Sequence, residues 1–190
     1  MERSLLRAHF FFARSFLKHP FMLGSIVPSS PSLVRRLTHQ IDWDTTRVLV
    51  EYGPGVGTVT TALLKRLHPE GVLVAIDYNQ ALADYLQQTV SDPRLRVVHG
   101  SAADVEQILA GMRLPRADCV VSGIPHSTLT PELRAQILQS TRCVLRPGGS
   151  FIVYQFTAAV LPQLEEVFGE VRQERELMNI LPARIFCCSR

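Results

Sequence analysis

The stretch Val48–Leu49–Val50–Glu51–Tyr52–Gly53–Pro54–Gly55–Val56–Gly57–Thr58–Val59–Thr60 leaves the chain few ways to fold. Val48 to Val50 are apolar and largely β-branched, the composition of a buried strand. Gly53 and Gly55 admit backbone conformations closed to other residues, and helical spacing resumes at Thr58. A strand, a glycine turn and a helix in that order leave bare backbone for a ligand to approach.

Downstream, strand-like runs at 47–52, 72–77, 95–99, 119–122, 150–156, 171–177 and 184–188 alternate with helical patterns at 57–67, 81–90, 102–110, 131–145 and 161–168. Pro162 interrupts the last helix, and Arg146–Pro147–Gly148–Gly149 makes a sharp turn into the fifth strand. This alternation predicts an α/β fold with a mostly parallel seven-stranded sheet covered on both faces, closed by an antiparallel pair. The ligand then sits at the carboxyl ends of the strands, near the point where strand order reverses. At 190 residues the chain suits one domain, here 41–190, behind an amino-terminal helical and loop extension at 1–40.

Within that extension, Leu5, Leu6, His9, Phe12, Ala13 and Phe16 recur at helical spacing over 2–17, with Arg3, Arg7, Arg14 and Lys18 largely elsewhere on the wheel. Such a helix either packs on the domain through its Leu and Phe stripe or lies in a membrane interface, with aromatic side chains among acyl chains and cations at lipid phosphates. Three consecutive phenylalanines cannot all face one core, which adds weight to the interface while leaving both readings open. Arg7, His9 and Arg14 break what would otherwise resemble a signal peptide, and no run is long enough to span a bilayer. Ser30 is placed to cap a helix beginning at Pro31 and running to about Gln40. Ser29 and Ser30 either cap alone or also turn hydroxyls toward a cofactor.

A formal net charge of +3 provides no broad footprint for a polyanion, so an electrostatic partner has to be met by a local patch. Cys119, Cys143, Cys187 and Cys188 lack C-x-x-C spacing and read as buried thiols, with no metal site. Asp77, ending the second strand, can accept from both hydroxyls of a ribose or simply cap the next helix. Gly100–Ser101–Ala102 ends the third strand where an adenine would lie, and Ser122–Gly123–Ile124–Pro125 ends the fourth. The glycine pattern departs from the G-x-G-x-x-G of dinucleotide binders.

Over nearly its whole length the sequence resembles the class I S-adenosylmethionine-dependent methyltransferases, with their Rossmann-like domain. More closely it resembles the bacterial phospholipid N-methyltransferases, which methylate phosphatidylethanolamine. The residues that carry this are Gly24–Ser25–Ile26–Val27–Pro28–Ser29–Ser30, Glu51–Tyr52–Gly53–Pro54–Gly55–Val56–Gly57, Ser122–Gly123–Ile124–Pro125, and Asn179 with Pro182–Ala183. The resemblance implies S-adenosylmethionine as cofactor, with Glu51, Gly53 and Gly55 on its methionine portion and sugar, Asp77 on the ribose, and Ser101 with Ala102 at the adenine. Ser29, Ser30, Tyr52, Pro54, Tyr78 and Ser122 complete the implied cofactor set. Ser101 is a departure, since related enzymes often carry Asp there to accept from the adenine amino group.

Methyl transfer is an in-line displacement from sulfonium to a lone pair, so alignment and desolvation dominate. A primary amine has a pKa of about 10, and its lone pair is protonated at neutral pH. His126 is the nearest base by sequence, with helix capping or solvent exposure as its other readings, and Tyr154 could orient the nitrogen. The expected acceptor is the amine of phosphatidylethanolamine and its methylated intermediates, met at an anionic phospholipid surface on the cytoplasmic face of the cell membrane. The alternatives are an RNA adenine methyltransferase of the rRNA dimethylase type and a small-molecule or ornithine-lipid N-methyltransferase. Against RNA, the fourth strand ends in S-G-I-P where base methylases carry an Asn-Pro-Pro-aromatic element, and nucleic acid is not an expected partner.

Overall fold

A computed structural model describes residues 29–179 and 182–190. The helix expected over 2–17 and the loop up to Pro28 lie outside the described residues. Seven strands form one sheet: β1 (Val48–Tyr52), β2 (Val72–Asp77), β3 (Leu95–His99), β4 (Ala117–Ser122), β5 (Leu145–Gln155), β6 (Val171–Glu176) and β7 (Ala183–Ser189). Their order is β3-β2-β1-β4-β5-β7-β6. The first five run parallel, and β7 is antiparallel to both of its neighbours. This is the mixed sheet that the sequence predicts.

Two helical layers cover the sheet. On one face α1 (Pro31–His39) and α2 (Thr58–Leu64) bury Leu33, Leu37, Val59 and Leu63 with Leu49, Val121, Ile152 and Ile185. On the other, α4 (Val105–Gly111), α5 (Pro131–Val144) and α6 (Leu161–Phe168) close over Val50, Tyr52, Val120, Phe151, Val153 and Phe186. The helix α3 (Gln80–Thr89) packs beside β2 and β3. Period-two alternation divides each strand between these cores: Leu49 and Glu51 face α1 and α2, while Val50 and Tyr52 face the opposite layer.

Local chemistry explains the element ends. The Ser30 side chain accepts from the Leu33 amide at 3.1 Å with Pro31 in the first turn, as the sequence predicts. Asn79 caps α3 and Thr130 caps α5 in the same way. Two expectations differ. Pro162 stands in the first turn of α6, where its missing N–H costs no hydrogen bond, so it starts the helix instead of interrupting it. The Arg146–Gly149 turn is absorbed into β5 as an irregularity opposite Ala117 and Cys119, with Gly148 at φ +73°. All four cysteines are free, and Cys119 and Cys188 are buried as expected, but Cys143 is exposed on α5.

Candidate active site

The parallel strands deliver their carboxyl ends to one edge, and strand order reverses between β1 and β4. The ladder continues into the loops there: Gly53 N–H donates to Ile76 O at 2.9 Å, Gly123 N–H to Tyr52 O at 2.9 Å, and Gly100 N–H to Asp77 O at 3.0 Å. Three loops are thereby held in fixed relation around one crevice. Gly53, Gly55 and Gly57 all have positive φ, at 66°, 55° and 81°, so the turn needs glycine at each. Pro54 is buried between them.

Glu51 is the unusual group. It is buried, and neither carboxyl oxygen has a hydrogen-bond partner among the described residues. Burial raises its pKa to about 7, opposed by the adjacent Thr60 hydroxyl and reinforced by the charge of Asp77. Asp77 is also buried and its pKa is raised by desolvation, while amide donors hold it back: Oδ1 accepts from Asn79 at 2.8 Å and Oδ2 from Gly55 at 3.3 Å. Tyr78, next along, is 82 % exposed. Ser101 Oγ accepts from the Ala103 amide at 3.2 Å, capping the short 3-10 turn at Ala102–Asp104, and Ala102 is buried beneath it.

Two of the expected cofactor contacts turn away from the turn. The Tyr52 side chain lies in the core opposite Glu51, with its hydroxyl 3.1 Å from Thr141 Oγ1, so only its backbone reaches the crevice. Ser122 shares that face, and its hydroxyl is 3.2 Å from His126 Nε2. His126 is itself wholly buried, Nδ1 has no partner, and desolvation, with a contribution from the charge of Arg134, lowers its pKa to about 4. Neither the capping nor the solvent-facing reading of this histidine describes it.

Tyr154 lies on the other face. Its hydroxyl sits so close to Gly123 that a Cβ there would fall 2.3 Å away. Burial, then the charge of Glu51, pushes the phenol pKa upward, and the nearby Ser29 hydroxyl partly offsets the rise. Tyr154 therefore stands between the glycine turn and a cleft of about 90 Å³ lined by Ser29, Leu33, Gly123, Pro125, Tyr154 and Gln155, among others. Gln155 was not apparent as a site residue from the sequence. Its Nε2 donates to Ile124 O at 2.8 Å, leaving Oε1 buried and without a partner. The signal was a polar residue ending the apolar run Phe151–Tyr154, which strand periodicity alone reads as a face change.

The start of α1 is tied to the loop after β6. Ser30 N–H donates to Asn179 Oδ1 at 3.0 Å, Ser32 Oγ to Glu176 Oε2 at 2.7 Å, and Arg36 Nε to the same oxygen at 2.6 Å. Glu176 Oε1 accepts from the Met178 amide at 2.6 Å. These contacts seat Ser29 and Asn179 on the cleft wall.

Strand order, glycine turn and the acid that ends β2 define the class I S-adenosylmethionine-dependent methyltransferase architecture, with S-adenosylmethionine as the cofactor. Residues 49–149 match the family described as "Methyltransferase domain", and the chain belongs to that family. It is 31% identical over 185 residues to an ornithine lipid N-methyltransferase of Singulisphaera acidiphila, covering 96% of each chain. It is also 31% identical over 150 residues to a probable ribosomal RNA small subunit methyltransferase A of Pyrobaculum aerophilum, covering 73% of this chain and 57% of that protein. Among solved structures, an O-methyltransferase from Bacillus cereus in complex with SAH superposes with a TM-score of 0.70 at 14% identity, covering 85% of this chain and 82% of the other. Among the described residues no helix is long and apolar enough to cross a membrane.

Proposed function

We propose that the chain transfers methyl groups from S-adenosylmethionine to the amine of a lipid head group, with an ornithine-type head group ahead of phosphatidylethanolamine. The observation that carries this reading is the likeness to the ornithine lipid enzyme over 96% of both chains, a span that the methyltransferase core at 49–149 does not fill. The sequence reading puts phosphatidylethanolamine first; this likeness reverses that order. The amino-terminal segment, with its Phe, Leu and Arg, brings the enzyme to an anionic bilayer on the cytoplasmic side of the cell membrane in this reading.

The residues at the crevice fit the cofactor. Glu51, buried with two unpaired oxygens, calls for a cationic donor, and the ammonium of the cofactor's amino acid supplies one. The bare turn at Gly53 and Gly55 admits that portion closely, Asp77 accepts from the ribose, and exposed Tyr78 offers its ring beside it. When bound, the cofactor supplies an electrophilic methyl group.

Toward the acceptor, Tyr154 and Gln155 orient the amine. A phenol with a raised pKa stays neutral, so Tyr154 accepts or donates a hydrogen bond without taking the proton. Gln155 adds an oxygen acceptor. We assign His126 to holding Ser122 and the turn after β4, because a buried imidazole with a pKa of about 4 is a poor base for an ammonium. The site then selects the neutral amine, roughly one molecule in a thousand at pH 7. No group of the enzyme needs to remove the proton within the site.

Mass spectrometry of lipids from cells expressing the chain tests this. New methylated ornithine-lipid or phosphatidylethanolamine head groups should appear with the native turn and vanish with Gly55→Val; their absence in both would overturn the reading. The second reading, RNA methylation, draws on the ribosomal RNA methyltransferase likeness. Salt-dependent RNA binding in a gel shift, without lipid products, would favour it.

A further inference from the structure

Across the end of the sheet, Gln155 of β5 is registered with Arg184 of β7, and Arg184 with Arg175 of β6. Registered residues of antiparallel strands project to the same face, so Gln155, which lines the cleft, and the two guanidinium groups form a row that continues from the cleft on the face opposite Tyr154. Like charges directly opposite each other repel, and such pairs are ordinarily relieved by a carboxylate. None relieves this one: among the described residues neither Arg175 nor Arg184 is in an ion pair. The nearest acids along β6, Glu174 and Glu176, alternate to the opposite face and are engaged with α1 through Arg36 and Ser32. Arg184 is half-buried, and Arg175 is exposed. Beyond Glu176, at the same end, Leu177 and Met178 are 73% and 78% exposed.

We propose that Arg184, assisted by Arg175, is the binding site for the anionic group of a zwitterionic lipid head group whose amine enters the cleft beside Tyr154 and Gln155. This deepens the lipid reading and rests on it. Neighbouring strands lie about 4.8 Å apart, so Arg184 stands one strand spacing from Gln155. A head group with four or five bonds between nitrogen and anion spans roughly 5–6 Å, because bonds of about 1.5 Å zigzag at tetrahedral angles and each advances only about 1.25 Å. Amine and anion therefore meet the two residues together. A guanidinium matches a phosphate diester or a carboxylate through paired N–H donors, and binding either relieves the repulsion between the two arginines. The exposed Leu177 and Met178 lie where the acyl chains of such a lipid leave the head group.

The test is calorimetry on the full chain saturated with S-adenosylhomocysteine, using three soluble probes. Dihexanoyl-phosphatidylethanolamine carries phosphate and amine, Nα-hexanoyl-ornithine carries carboxylate and amine, and hexylamine carries the amine alone. The native chain should bind at least one zwitterion about tenfold or more tightly than hexylamine, the scale of a charge-assisted pair. Arg175→Gln with Arg184→Gln should erase that margin and leave hexylamine binding unchanged, while Arg184→Lys keeps part of it. The favoured zwitterion distinguishes phosphate from carboxylate. The melting temperature of the double variant should be unchanged or raised, because a repulsive pair is removed. No margin in the native chain, equal loss for hexylamine, or loss only of flotation on phosphatidylglycerol vesicles would each overturn the proposal. If the margin holds but the native chain methylates neither lipid, the anion site stands and the methylation reading fails.

Discussion

The Gly55 amide donates to Asp77 Oδ2 at 3.3 Å, joining the turn after β1 to the acid that ends β2. The other oxygen of Asp77 is fixed by the Asn79 amide, so the carboxylate is held both by the turn after β1 and by the segment that follows β2. A group oriented in this way arrives at the crevice with little rotamer freedom left to lose. In the proposed reading, the turn and the ribose acceptor therefore act as one rigid unit.

Asp77→Asn keeps the shape and removes the charge, and should weaken S-adenosylhomocysteine binding by about ten- to a hundredfold, the value of one charged hydrogen-bonded group. Gly55→Ala places a side chain at φ +55°, with a strain cost of about 1–2 kcal/mol, and should lower both cofactor affinity and melting temperature. Calorimetry separates the two effects. Unaltered affinity in Asp77→Asn would remove Asp77 from the cofactor site.

Glu51 and His126 give the apo protein opposite pH dependences. Burial raises Glu51 from 4.5 to about 7, so the stability this group contributes is complete below pH 4.5 and is lost as pH rises through about 7. Burial lowers His126 from 6.5 to about 4, so its contribution is complete above pH 6.5 and is lost as pH falls through about 4. At about 1.4 kcal/mol per pKa unit each shift is worth about 3 kcal/mol, and the two slopes cancel between about pH 4.5 and 6.5. Urea titrations should show Glu51→Gln gaining stability relative to native as pH rises across that window, and His126→Gln losing it. Parallel curves for all three proteins would show that neither shift exists.

The same carboxyl sets the pH dependence of cofactor binding. A protonated Glu51 offers an ammonium no charge, so affinity for S-adenosylhomocysteine should fall below pH 7 by up to tenfold per unit, and Glu51→Gln should bind weakly without that slope. Binding at pH 6 should release a proton. Buffers of differing ionisation enthalpy would reveal it in the calorimetric heat.

Gly123 faces Tyr154 with no room to spare. A Cβ at 123 would lie 2.3 Å from the phenol oxygen and 2.7 Å from the ring carbon bearing it, so Gly123→Ala must displace the ring. We expect about 1–3 kcal/mol of destabilisation and a large fall in methyl transfer. With Tyr154→Ala added, the clash is gone, and the double variant should be less destabilised than the sum of the singles, while activity stays low.

With the cofactor saturating, the acceptor amine governs the rate against pH. The value of kcat/KM for the lipid should rise about tenfold per unit from pH 7 toward 9, following the neutral amine, with no break from His126. Tyr154→Phe should lower kcat without changing that slope. A profile that bends near a histidine pKa and flattens in His126→Gln would restore His126 as a base.

The sequence by itself determined the order of strands and helices, because β-branched runs, capping residues and glycines act over a few positions. Ser30 with Pro31, and Gly53 to Gly57, could be read without neighbours for that reason. It also placed the crevice residues at strand ends, since topology puts the ends of parallel strands together. Only the tertiary structure decided which side chains face the crevice. Period-two alternation at Glu51 and Tyr52 sends one toward the turn and the other into the core, and the sheet's two buried faces leave no polarity contrast in the sequence to show which is which. Burial had the same authority over His126, whose proton affinity falls because the fold removes it from water, with the charge of Arg134 adding to the effect. Gln155, Arg184 and Arg175 lie apart in the sequence and become a row only through the antiparallel register of β5, β7 and β6, a pairing set by the whole sheet.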